Sequence, residues 1–124
     1  MPRIGMTFTS ETVVTLANCA VTMGSGDLEV FATPAMVALM ENAAMNAVAE
    51  ALPQGSTTVG AEMNTTHIKP SSIGARVQAT ATLIAVEGRK LTFAVEACDE
   101  VGIIGKGVHV RFVVDKERFM AKLG

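Results

Sequence analysis

Three side chains in this sequence have the means to drive nucleophilic or acid–base chemistry: the hydroxyl of Thr33, the carboxylate of Glu41 and the imidazole of His67. A hydroxyl beside a base becomes a nucleophile, a carboxylate withdrawn from water serves as base or nucleophile, and an imidazole moves protons near neutral pH. Thr33 and Glu41 lie in one apolar stretch, eight residues apart, which on a helix is about 12 Å or roughly two turns. Glu41 shares four- and seven-residue spacing with Pro34, Val37, Met45 and Val48, whereas Asn42, Asn46 and Glu50 form a separate polar stripe. Burying a carboxylate without a partner costs several kcal/mol, so Glu41 is expected in a dry pocket beside an imidazole, as base or nucleophile. The plainer alternative is a core ion pair or the border of a dimer interface. His67 shares a strand face with Ala61, Met63 and Thr65 and points either at the helix or across a dimer interface; His109, the other histidine, reads as an ordinary strand residue.

The elements that must position these groups follow from the pattern. Val30–Leu52 reads as one helix, with Thr33 as its N-cap, Pro34 at the first helical position, and Pro53 and Gly55 ending it. A β-branched strand precedes it over 6–17, and Thr22–Asp27 supplies turn residues. Four strands follow: Thr57–Lys69, Ala75–Val86 with Val77, Ala79, Ala81 and Leu83 on one face, a third carrying Leu91, Phe93, Val95 and Ala97, and Ile103–Val114. In the last, Val108, Val110, Phe112 and Val114 are expected inward, ahead of a polar tail from Asp115. Hairpin-linked strands give an antiparallel sheet, and the one apolar helix is what it covers. The class is α+β, in the hot-dog arrangement of a five-stranded antiparallel sheet wrapped around a long central helix.

Composition narrows the function. At 124 residues the chain is expected to be one domain spanning 1–124, and a net charge of −2 without a basic block argues against nucleic acid as a partner. No stretch has the layout of a signal peptide or the length of a membrane span, so a cytoplasmic protein with no membrane partner is expected. Cys19 and Cys98 are solitary and lack metal-ligand spacing, which gives no indication of a metal. An apolar content of 49% in so short a chain points to a homodimer or higher homo-oligomer.

Taken together, Val30-Phe31-Ala32-Thr33, Met36-Val37 with Leu39-Met40-Glu41, Gly60, Thr66-His67 and Val86-Glu87-Gly88-Arg89 resemble the fluoroacetyl-CoA thioesterase group of hot-dog proteins, over Val30 to Arg111. The resemblance implies hydrolysis of an acyl-CoA thioester, with Thr33, Glu41 and His67 as the catalytic set and Gly60, flanked in role by Phe31 and Pro34, against the acyl group. No cofactor is implied, because coenzyme A belongs to the substrate. Lys69, Arg89 and Lys90 are candidates to meet its phosphates, and Met36, Met40 and Met45 are expected to crowd out long acyl chains. The loop from Met23 to Leu28 lacks an aromatic residue to close over the acyl pocket, so the resemblance does not extend to fluoroacetyl selectivity. A hydratase or dehydratase on the same fold and a non-catalytic acyl-CoA-binding protein are the competing readings.

Overall fold

The computed structural model describes residues 1–124. Strand β1 (Thr7–Val13) leads through a single 3₁₀ turn and a short helix α1 (Ala20–Met23) to the central helix α2 (Thr33–Val48), which tightens into a last 3₁₀ turn at Ala49–Ala51. Strands β2 (Ser56–His67), β3 (Arg76–Glu87), β4 (Lys90–Cys98) and β5 (Ile103–Asp115) follow, and helix α3 (Lys116–Ala121) ends the chain. All neighbours in the sheet are antiparallel, in the order β1-β3-β4-β5-β2. The sheet curls around α2 in the hot-dog arrangement.

Alternation along β3 and β4 builds the floor of the core. Val77, Ala79, Ala81 and Leu83 face the same way as Leu91, Phe93, Val95 and Ala97, and all are buried. Their small residues let α2 lie close to the sheet, where Met36, Met40, Ala43, Ala44 and Val48 complete the packing. Gly88, at φ +64°, turns the chain between β3 and β4 in two residues, a conformation that costs other residue types more.

Four expectations are corrected. The helix begins at Thr33, not Val30, because the Val30 and Phe31 backbones are held by bridges to Ser72 and Cys19. Part of the expected turn before it is helical, as α1. The polar tail folds into α3, capped by the Asp115 side chain accepting from the Arg118 N–H. The fourth concerns β5, whose inward face is the reverse of the one its apolar residues suggested. Val108 and Phe112 are exposed, while His109 and Arg111 point in and are almost fully buried; Val110, on the outer side, is also largely covered.

The reason lies in the glycines. Gly105 and Gly107 share the face of His109 and Arg111, and at Gly105 the Met36 side chain comes so close that a Cβ would sit 2.9 Å from its sulfur. Hydrophobic alternation on β5 was therefore a weaker guide than the need for small residues under the helix. β2 carries a related irregularity: its register with β5 shifts between Gly60 and Glu62, leaving Ala61 as an extra residue. No helix is long and apolar enough to cross a membrane.

Replacing Gly105 by Ala is expected to destabilise the fold by about 1–3 kcal/mol through overpacking against Met36 and the Thr66 backbone, read as a lower midpoint in urea unfolding.

Candidate functional site

Helix α2 runs antiparallel to β2, so its first turn lies beside the end of that strand. There the Thr33 hydroxyl and His67 Nδ1 are 2.7 Å apart. Thr33 is not the cap that its type suggested: Ala32 occupies the N-cap, Thr33 is the first helical residue, and its hydroxyl is engaged by the imidazole instead. His67 Nε2 is buried and makes no hydrogen bond. Burial pushes the imidazole below its ordinary value of 6.5; the Lys69 backbone, not placed to bond Nε2, offsets only part of this. A neutral imidazole with Nδ1 as acceptor is the form that takes a proton from a hydroxyl.

Glu41 lies elsewhere. It is half-buried rather than in the core, on the rim of a cleft of about 420 Å³ that Gly60, Arg111, Thr58 and Met45 also line. A Cβ on Gly60 would stand 2.9 Å from Glu41 Oε2 and 3.4 Å from both Arg111 Nη1 and His109 Cε1, so these groups converge on the glycine. The expected pairing of Glu41 with His67 is absent within one chain: eight helical residues, about 12 Å, separate Glu41 from the level of Thr33 and His67. The imidazole nearest Glu41 is His109.

His109 and Arg111 were missed by sequence reasoning. His109 Nδ1 donates to the Glu62 carbonyl at 2.7 Å, which fixes the tautomer and leaves Nε2 to accept from Arg111 Nη1 at 3.2 Å. Arg111 also donates from Nε to the Thr58 hydroxyl at 2.8 Å and from Nη2 to the Thr58 carbonyl at 2.9 Å, and it makes no ion pair. Burial lowers the pKa of both; the Arg111 charge lowers His109 further, while the Glu62 backbone and Glu41 raise it, and Glu41 raises Arg111. The result is a cationic, largely desolvated corner facing a carboxylate. The signal that would have found it is Gly105-x-Gly107-x-His109-x-Arg111, a period-two face whose glycines mark the helix side.

The remaining candidates disperse. Phe31 is 2% exposed and belongs to the core, although it borders cavities on both sides, one of them the small cavity holding Thr33 and His67. Pro34 is exposed on the first turn of α2. Arg89 is exposed at the β3–β4 turn and lines a cavity of about 140 Å³ with Arg118 and Lys122. Lys69 is paired with Asp99 at 3.1 Å rather than free for a phosphate. Met36 and Met40 are buried against the sheet and cannot crowd an acyl group; only Met45 reaches the Glu41 cleft.

Comparison with known proteins supplies the context for this geometry. The family described as FlK, fluoroacetyl-CoA-specific thioesterase, matches residues 14–117. A fluoroacetyl-CoA thioesterase from Streptantibioticus cattleyicolor is 44% identical over 95 residues, covering 77% of this chain and 68% of the relative. A solved structure of the fluoroacetyl-CoA thioesterase FlK superimposes with a TM-score of 0.92 at 37% identity, covering 99% of this chain and 96% of that one. A thioesterase superfamily member from Thermus thermophilus superimposes with a TM-score of 0.90 at 29% identity, covering 99% and 93%.

Both histidines are held below 6.5 in the folded chain, so the unfolded chain binds protons more readily. Their contribution to stability is complete above pH 6.5 and is lost as pH falls from there through the folded pKa values. Urea unfolding between pH 7.5 and 5 is expected to show falling stability, and proton titration of the imidazole Cε1–H signals by NMR is expected to place both midpoints below 6.5.

Proposed function

Because this chain belongs to the fluoroacetyl-CoA-specific thioesterase family, we propose that it hydrolyses a short or polar acyl-CoA thioester to the free acid and coenzyme A. The observation that carries the reading is the 2.7 Å contact between the Thr33 hydroxyl and His67 Nδ1 at the start of the central helix. His67 Nδ1 takes the Thr33 proton as the oxygen attacks the thioester carbon. Backbone N–H groups of the first helical turn, at the positive end of the helix dipole, steady the charge on the carbonyl oxygen. The carbon–sulfur bond then breaks; a thiol of pKa about 8.5 departs readily as thiolate. Glu41 takes a proton from the water that attacks the acyl–threonine ester, and the imidazolium returns its proton to the threonine oxygen as that bond breaks.

Glu41 cannot reach that ester from its own chain, so the reading includes a homodimer. β2 is an edge strand twelve residues long, with its outer backbone groups unpaired. Antiparallel pairing of two β2 strands about a two-fold axis near residues 63–64 sets Gly60 of one chain opposite His67 of the other, and Glu41 accompanies Gly60. Gly60 lets the acyl group approach the backbone, Phe31 and Pro34 border its entry, and Arg111 meets an electronegative acyl substituent. Arg89, with Arg118 and Lys122, is the candidate contact for the phosphates of coenzyme A. The solved FlK relatives include one described in complex with acetyl-CoA, which supports an acyl-CoA ligand for this chain.

Thiol release measured across a panel of saturated and 2-enoyl acyl-CoA esters is expected to favour short acyl groups; loss of enoyl absorbance without thiol would instead identify a hydratase. Thr33→Ala, His67→Ala and Glu41→Gln are each expected to lower kcat by about 10²–10⁴-fold, and wild-type turnover by Glu41→Gln and His67→Ala would exclude the assignment. Mixing and re-equilibrating the Thr33→Ala and Glu41→Gln proteins is expected to restore about a quarter of wild-type activity, since half the dimers then hold one intact site. No recovery would mean that the site is not shared.

A further inference from the structure

Asp99, in the turn between β4 and β5, is the most heavily hydrogen-bonded carboxylate in the molecule, and the reaction described above does not use it. Its side chain is 5% exposed. Oδ1 accepts from the backbone N–H groups of Val101 at 2.8 Å and Gly102 at 3.1 Å. Oδ2 accepts from the Ser71 hydroxyl at 2.8 Å and from Lys69 Nζ at 3.1 Å. Burial opposes its charge, but the bonds from Ser71, Val101, Lys69 and Gly102 outweigh this and hold it at about 2. It is an anion at neutral pH.

Its partners make it more than a turn-former. Lys69 and Ser71 belong to the loop leaving β2, two and four residues beyond His67. On its other side the same loop holds the approach to α2: the Ser71 carbonyl accepts from the Phe31 N–H at 2.9 Å, and Ser72 bridges to Val30. Phe31 is two residues ahead of Thr33. His67 is also held by its pairing with Gly105 in the β2–β5 ladder, and the entry to Thr33 by the Ala32 N–H donating to the Asn18 carbonyl, but the Lys69–Ser71 span is what joins the two sides of the Thr33–His67 contact, and Asp99 fastens that span to the β4–β5 turn. The Ile68 N–H, donating to the Ile104 carbonyl at 2.7 Å, ties the same corner to β5.

We propose that Asp99 is a positioning residue whose carboxylate sets the separation of the Thr33 hydroxyl and the His67 imidazole by clamping the Lys69–Ser71 loop. It touches neither group and acts through the loop. The proposal rests on the Thr33–His67 reading for its effect on turnover, but not for its effect on the imidazole.

Asp99→Asn is the test, because an amide keeps an acceptor for the Val101 and Gly102 N–H groups and removes the charge that binds Lys69 and Ser71. The expected result is a fall in kcat of about 10–100-fold with KM changed less than threefold, together with a His67 midpoint, read from its Cε1–H signal, that moves up toward 6.5 as the imidazole loosens from its buried contact. In a Thr33→Ala background the same substitution is expected to cost kcat no more than twofold further, since the contact it maintains is already gone. Ser71→Ala, which removes one bond and leaves the carboxylate, is expected to shift His67 in the same direction by less, and serves should the Asp99 variant fail to fold. An unchanged His67 midpoint with unchanged kcat, or a kcat loss that adds in full to that of Thr33→Ala, overturns the proposal. If Thr33→Ala itself leaves turnover intact, the hydrolytic assignment falls while the His67 shift still decides the role of Asp99.

Discussion

One extra residue in β2 determines which side chains meet the central helix. A regular strand sends alternate residues to opposite faces, so Thr58 and Gly60 would lie on the side away from Met63, Thr65 and His67. The bulge at Ala61 shifts the alternation by one, and all five come to face α2. Thr58 can then hold Arg111, Gly60 can abut Glu41, and Thr65 and Met63 can pack on the core while His67 meets Thr33. Without that shift, either the imidazole or the glycine would face solvent, and the two halves of the site could not share a helix.

The two polar corners differ electrostatically, and their protein contacts explain how. At the Thr33 end, burial favours a neutral imidazole suited to accept a proton, with no carboxylate of the same chain opposing that shift. At the Glu41 end a buried guanidinium is held by neutral groups, the Thr58 hydroxyl and carbonyl and the His109 ring, so its charge is directed rather than neutralised. A buried ion without a direct ion pair is costly, and such a group is a candidate for function where its field reaches a cleft. Here that field falls on the cleft that Arg111 lines with Glu41 and Gly60.

Much of this was legible from residue order, and the failures share a cause. The sheet and the helix followed from alternation and punctuation, because β3 and β4 obey the hydrophobic pattern, while Thr33, Glu41 and His67 were candidates from residue type and as the set that the family resemblance implies. The pairing did not. Reading β2 as regular put Ala61 on the face of His67 and left Gly60 off it, and a bulge is not visible in composition. On β5 the apolar residues suggested the wrong face, because the side toward the helix had to be glycine and polar to accommodate Met36 and to line a cleft. Local patterns therefore misled where the structure departs from regularity, and those are the places where the candidate chemistry sits.

Thr33 shows what such a departure costs. A threonine at the N-cap would stabilise α2 by about 1 kcal/mol relative to alanine, yet the chain places Ala32 there and Thr33 one residue later. The helix start is secured by other means: the Ala32 N–H donates to the Asn18 carbonyl, the Phe31 N–H to Ser71, and Met36 closes the first turn onto Ala32. With the backbone anchored from both sides, the hydroxyl is not needed as a cap and is free to meet His67. The loop that supplies part of this anchoring leaves the strand at the histidine, so the helix entry and the imidazole are joined through one short segment of chain.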